Sequence, residues 1–352
     1  MPNPYHGRPD DAFWKRAVAR REAGDVDPVT GVPFKIGRDD RIATAGSCFA
    51  QHISRTLARL GYRYLVTESA PDGDGENYGV FPARFGNIYT TRQLLQTFDR
   101  AYGLFRPLDD VWARADGALV DPFRPQIESA GFASQAALAA DRKRHFAGVR
   151  AMCEDCDVFI FTLGLTETWI STRDGAVFPV APGVSGGEPG PDYAFHNLDV
   201  EEMAADLRAF LRKLRVVNPG VRVILTVSPV PLIATFEPRH VLVSNTYSKA
   251  ALRVTAEMVC RDTPDVCYFP SFEMITGAHA RSAYFEPDLR NVTEGGVAQV
   301  MGNFERHFLA KASETRTAAP VAAQAADGLS AKDRKRFADQ ADIVCDEEAI
   351  DP

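Results

Sequence analysis

Asp157-Val158-Phe159-Ile160-Phe161-Thr162-Leu163, leading into Gly164-Leu165-Thr166-Glu167, is the stretch that decides the fold. Its apolar run shows no alternation of polar and apolar residues. That pattern marks a strand buried on both faces, as in a parallel sheet covered by helices. Upstream, Arg41-Ile42-Ala43-Thr44-Ala45 reads as a short buried strand. Phe49, Ile53, Leu57 and Leu60 then recur on one helical face, and Gly61 ends that helix. Tyr62 to Thr67 reads as a second strand, with helices predicted over 91–102 and 130–150.

Downstream, residues 172–197 form a Gly/Pro-rich loop, with a hairpin signal at Asp174-Gly175. A helix follows from Val200 to Val216, closed by Asn218-Pro219-Gly220, and Val221 to Val227 is the next buried strand. Ser244 to Arg261 is predicted helical, Val266 to Phe269 extended and Thr293 to Phe308 helical. Alternating strands and helices predict a doubly wound α/β fold with a mostly parallel central sheet. Ligands in such sheets sit at the carboxyl ends of the strands. Gly46-Ser47, Gly164 to Glu167 and Ser228-Pro229 each fall just past a strand end, so they are expected to converge.

Three segments follow from this pattern. Residues 1–40 form a lead in which Phe13, Trp14 and Val18 predict an amphipathic helix within Asp10 to Glu22. Residues 41–310 form the α/β domain, and residues 311–352 a flexible tail without apolar periodicity, ending in the acidic Asp346-Glu347-Glu348.

The formal net charge of -7 supplies no basic field for nucleic acid. No apolar run is long enough to cross a bilayer, and Met1 to His6 lacks the apolar core of a secretory signal. A cytoplasmic protein without membrane insertion is expected. The six cysteines are scattered, as suits reduced thiols, and Cys153-Glu154-Asp155-Cys156 has no second pair to complete a zinc site. No metal and no organic cofactor is expected.

Ser47 follows Gly46 at a strand-to-helix turn with small neighbours. A hydroxyl there is equally a helix cap or a nucleophile beside free backbone N–H groups. Cys48, inside the helix and without a base, reads as a small buried hydrophobe.

The string Gly46-Ser47-Cys48-Phe49-Ala50 resembles the motif that names the GSCFA family, itself similar to SGNH/GDSL-type hydrolases. The same family pattern fits Phe85 to Thr90, Thr162 to Trp169, Thr226 to Val230, Ser248-Lys249-Ala250 and Tyr268 to Ser271, in order. The resemblance implies a flavodoxin-like three-layer sandwich. It makes Ser47 the nucleophile, with the N–H groups of Ser47 and Gly86 holding the oxyanion and Asn87 beside them. Gly164 and Thr166 fall at the Gly-x-Asn block, with a hydroxyl where the amide is expected, and Glu167 and Trp169 could line a pocket.

SGNH enzymes carry Asp-x-x-His near the C-terminus. Here the match is Asp288-Leu289-Arg290-Asn291, which puts an amide where the base belongs. His240, in the loop after the strand ending at Val227, is the replacement candidate, and His279 the next. Lys249 could contact a phosphate or carboxylate, or be an exposed helix lysine. The function implied is a serine-dependent ester hydrolase or O-acyltransferase acting on a small-molecule or saccharide ester. The alternative is a catalytically impaired module that holds a glycan or acyl group in the same cleft.

Overall fold

In the computed structural model, which describes residues 3–70, 75–310 and 346–351, the buried runs assemble into one parallel sheet. β1 (Ile42–Gly46) leads into α1 (Ala50–Arg59), and α2 (Thr91–Ala101) follows after a long connection. A ribbon of β2 (Trp112–Ala113) and β3 (Leu119–Val120) precedes α3 (Gln135–Asp155) and β4 (Val158–Leu163). β5 (Glu167–Ser171), β6 (Val177–Phe178) and β7 (Tyr193–Asn197) form a small antiparallel sheet ahead of α4 (Val200–Val217). β8 (Arg222–Val227), α5 (Val241–Asp262), β9 (Val266–Phe269), α6 (Ser271–Thr276) and α7 (Glu294–Phe308) complete the domain.

The central order is β1-β4-β8-β9, and every pairing is parallel. All six residues of β4 are buried, as the uninterrupted apolar run requires. Successive residues of each strand point to opposite faces. Ala43, Phe159, Phe161, Val223 and Leu225 pack toward α2–α5, while Ile42, Val158, Ile160 and Ile224 pack toward α1, α6 and α7. The result is a three-layer α/β sandwich. α2 and α4 each begin with a capping box, Thr90 with Gln93 and Asp199 with Glu202.

Gly46 fixes the geometry of the sheet's edge. It pairs with Thr162 at φ +139°, and a Cβ there would lie 2.4 Å from the Thr162 carbonyl oxygen. Only glycine fits. Gly46→Ala is therefore expected to cost about 3 kcal/mol or more in urea unfolding, from backbone strain plus the clash. A loss under about 1 kcal/mol would mean that the edge yields freely.

Two expectations are corrected. Residues 10–25 form two 3₁₀ turns and a π-helical turn in place of an amphipathic helix, and none of the three buries a residue. Trp14 is 69% exposed, so the apolar stripe has no surface to stabilise a helix against. Tyr62 to Thr67 gives one bridge, Ile42 to Tyr64, and no strand, since the chain turns away once Leu65 N–H has reached the Ile42 carbonyl. The tail expectation falls mostly on residues 311–345, outside the described residues. Asp346–Ala349, however, is a 3₁₀ turn in which Asp346 and Glu347 are buried.

Candidate active site

The carboxyl ends of β1 and β4 carry the first part of the site. Ser47 sits one residue beyond β1, before α1, and is buried. Its N–H donates to the Thr162 carbonyl at 3.2 Å, which continues the sheet by one bond. This corrects the expectation that Ser47 N–H serves an oxyanion: its proton is already committed. The Ser47 hydroxyl makes no hydrogen bond to any described residue. The cap residue of α1 is Phe49 and no side chain caps that helix. A buried hydroxyl that neither caps nor bonds is costly, and so a candidate for function.

The loop Phe85 to Thr90 lies across the two strand ends. Ile88 N–H reaches the Gly46 carbonyl at 2.8 Å, while Gly164 and Leu165 N–H reach the Tyr89 carbonyl at 3.0 and 3.2 Å. Gly86 adopts φ +70°, and its N–H has no acceptor among the described residues. A Cβ on Gly164 would stand 3.1 Å from Ser47 Cβ and 3.2 Å from Tyr89 Cδ1. Bare backbone at residue 164 is thus what brings Ser47 and Tyr89 close. Thr166 is fully buried; its N–H binds Ser248 Oγ at 3.2 Å and its hydroxyl has no described partner.

Three residues around this cleft, Asn87, Tyr89 and Arg290, bond to the C-terminal turn. Asn87 Nδ2 donates to Asp346 Oδ2 at 3.0 Å, and Asn87 N–H donates to the same carboxylate. Tyr89 OH approaches that oxygen at 3.5 Å and accepts Asp346 N–H at 3.0 Å. Arg290 Nη2 binds Glu347 Oε2 at 3.0 Å. Lys249, only 3% exposed, donates from Nζ to the Gly164 carbonyl at 2.7 Å and feels the charge of Glu347. Burial pushes Asp346 up to about 6 and raises Glu347, and it pushes Lys249 down to about 8.

The expected acid–base partners make hydrogen bonds other than to Ser47. His240 is exposed and caps α5, its Nδ1 accepting Leu242 N–H at 3.1 Å. A loop that ends in a helix N-cap spends its imidazole on the helix. Asp288 takes the N–H groups of Arg290 and Asn291 at 2.9 and 3.0 Å, and Asn291 Nδ2 at 2.6 Å. Neither His240 nor Asp288 is hydrogen-bonded to Ser47, and no bond joins the two.

Of the other histidines, three bond to carboxylates and His279 bonds to the Met274 backbone. His145 meets Glu68, His196 meets Glu202 and His307 meets Asp27. His52 is half-buried beside Phe49, and its burial pushes it down to about 4. Glu167 does not face the cleft as a free acid: it accepts Thr235 Oγ1 at 2.6 Å and Phe236 N–H at 3.1 Å, fastening the loop after β8. Trp169 packs on Phe236 with ring centroids 4.9 Å apart. Cys153 and Cys156 are buried free thiols, and Asn218 Nδ2 ties the carbonyls of both. No group of three or more His, Cys, Asp or Glu able to hold a metal exists among the described residues. Among those residues no helix is long and apolar enough to cross a membrane.

The sequence patterns of the GSCFA family match residues 41–304. The chain belongs to the GSCFA family. Its matched span runs from the residue before β1 to within α7, so it contains the whole sheet and every site residue except those of the C-terminal turn. No curated protein matches this GSCFA chain. It is similar to a carbohydrate esterase family 3 protein from Talaromyces cellulolyticus at 13% identity and a TM-score of 0.30, covering 76% of this chain and 95% of that one. An acetyl esterase mutant crystallised with acetate gives 13%, 0.29 and the same two coverages. A carbohydrate esterase family 2 enzyme from Corynascus thermopiles (Myceliophthora fergusii) gives 12%, 0.27, and coverages of 72% and 69%.

Proposed function

We propose that this GSCFA protein is a serine-dependent ester hydrolase or O-acyltransferase of SGNH type, with Ser47 as acyl acceptor. One observation carries the reading. A carboxylate, that of Asp346, is held by Asn87 N–H, Asn87 Nδ2 and the Tyr89 hydroxyl on the loop that crosses Ser47. The Asp346 carboxylate stands in for the carbonyl of an ester or for a carboxylic acid product. Preorganised donors at such a point lower the cost of the negative charge that develops on the carbonyl oxygen.

In the proposed reaction Ser47 Oγ bonds to the carbonyl carbon and its proton leaves. The bond to the alcohol oxygen then breaks, and the alcohol departs with a proton. Water or a second hydroxyl takes the acyl group from Ser47. Asn87, Tyr89 and the unpartnered Gly86 N–H stabilise the oxyanion, with the Thr166 hydroxyl behind them. Because no imidazole is bonded to Ser47, the serine proton passes to solvent and turnover is slow. The SGNH resemblance extends the substrate class to acylated saccharides. We place the protein in the cytoplasm, in keeping with the five unpaired cysteines among the described residues.

A second reading, a module that binds an acyl or glycan ligand without turning it over, is favoured by one feature. Asp288 is bonded to an amide, Asn291, where a base would stand. An active-site fluorophosphonate separates the two. The wild-type protein is expected to take one label and Ser47→Ala none. Absence of wild-type labelling from about pH 6 to about pH 10 would leave only the binding module.

A further inference from the structure

Two adjacent acidic side chains, Asp346 and Glu347, enter the cleft, and each meets a different set of donors. Asp346 takes Asn87 and Tyr89; Glu347 takes Arg290, with Lys249 as a second cation. Both residues are more than nine-tenths buried. Carboxylates are not buried without compensation, so these donors constitute a built site rather than a surface encounter.

The donors belong to the body of the domain. The loop of Asn87 and Tyr89 is hydrogen-bonded to the ends of β1 and β4, and Lys249 is a buried residue of α5 bonded to Gly164. Lys249 and Arg290 are two cations near enough to disfavour each other's charge. Arg290 Nη2 meets Glu347 Oε2 at 3.0 Å and the buried Lys249 stands on the Gly164 carbonyl, so negative charge at the place of Glu347 is favoured by both cations. The acids, by contrast, sit on a short C-terminal turn 259 residues along the chain from Asn87.

We propose that Asn87–Tyr89 and Lys249–Arg290 form one two-part anion site, that Asp346-Glu347 is its intramolecular occupant, and that the ligand displacing it is an ester bearing a second anionic group. The carbonyl end of that ligand takes the place of the Asp346 carboxylate, and its charged end takes the place of Glu347. The tail thereby acts as a competitive stopper. The assignment of the carbonyl end rests on the function proposed above; the anion site itself does not require Ser47 to react.

Succinate, which carries two carboxylates, and acetate, which carries one, are the probes. In full-length Asp346→Ala/Glu347→Ala protein, calorimetric titration is expected to show succinate binding at least about tenfold tighter than in wild type, because the competing tail is gone. Acetate is expected to bind more weakly than succinate. Adding Arg290→Met to the double variant should weaken succinate about tenfold and leave acetate nearly unchanged, with Arg290→Lys restoring most of the loss. A peptide of residues 346–352 added in trans should compete with succinate.

Equal succinate affinity in wild type and double variant, or no effect of Arg290→Met, would overturn the proposal. A cooperative unfolding transition in each variant shows that the fold persists; where Arg290→Met fails that check, peptide competition decides. Repeating the titrations with Ser47→Ala should change nothing. Loss of fluorophosphonate labelling thus counts against the esterase reading alone, and loss of succinate binding against the anion site.

Discussion

Asn291→His is expected to raise the rate at which Ser47 reacts with a fluorophosphonate by about 10²- to 10⁴-fold, the usual contribution of a positioned general base. Asn291 Nδ2 donates to Asp288 Oδ2 at 2.6 Å, and an imidazole Nδ1–H can make the same bond. That would fix the tautomer and leave Nε2 as the proton acceptor. Asp288 is prepared for the role: the N–H groups of Arg290 and Asn291 hold its carboxyl below the usual carboxylate range, so it stays ionised at neutral pH. Asn291 is exposed, so the larger ring displaces no core side chain. Labelling rates of wild type, Asn291→His and Asn291→His/Asp288→Asn check this, and the second change should remove most of the gain. An unchanged rate in Asn291→His would mean that residue 291 does not face Ser47.

Asp141→Ala is expected to cost about 3–5 kcal/mol in urea unfolding, the range for breaking a buried ion pair from one side. Asp141 lies under the site loop, 2.8 Å from Arg124 and 3.2 Å from Arg84, and all three side chains are nearly fully buried. Without it, two guanidinium groups lose a shared partner in a region that water does not reach. Arg84 donates to the carbonyls of Glu76 and Ile127 and to Glu128, while Arg124 donates to the Arg84 carbonyl. These bonds clamp the chain just before Gly86 and Asn87. Asp121, fully buried, is the second anion of the cluster. Burial pushes its carboxyl up, but Arg124, Arg100 and Arg142 outweigh that and hold it below the usual range. His145 is pushed down to about 4 by burial and by Arg124, so it faces Glu68 as a neutral ring at neutral pH. A cost under about 1 kcal/mol for Asp141→Ala would show that the two arginines find other partners.

The central sheet was legible because its strands are written in local patterns. The run Val158 to Leu163 admits no amphipathic reading, and the glycines and prolines between elements mark the turns. The cluster around Asp141 was not legible: Arg84, Asp121, Arg124 and Asp141 are spread along the chain with no periodicity, and only the fold joins them. The tail turn escaped for the same reason, since two acids anchor it and no apolar stripe announces it.

At the site, Ser47 and Gly164 stood in readable strand-end motifs, and Gly86 and Asn87 in a block of the family resemblance. The engagement of Ser47 N–H with Thr162 did not, because it depends on the register of β1 against β4. Tyr89 lay inside the quoted block Phe85 to Thr90, yet its hydroxyl gained a role only through Asp346. His240 was placed by adjacency to a strand end, and the helix it caps claims it instead.

A crystal structure of the protein after reaction with a fluorophosphonate tests the central claim most directly, because it places the reacted atom and its surroundings together. Phosphorus is expected on Ser47 Oγ, with a phosphoryl oxygen held by Asn87 and Tyr89 and Asp346 displaced from those donors. A phosphorus on any other residue, or an adduct on Ser47 whose oxygen points away from Asn87 with Asp346 still in place, would contradict it.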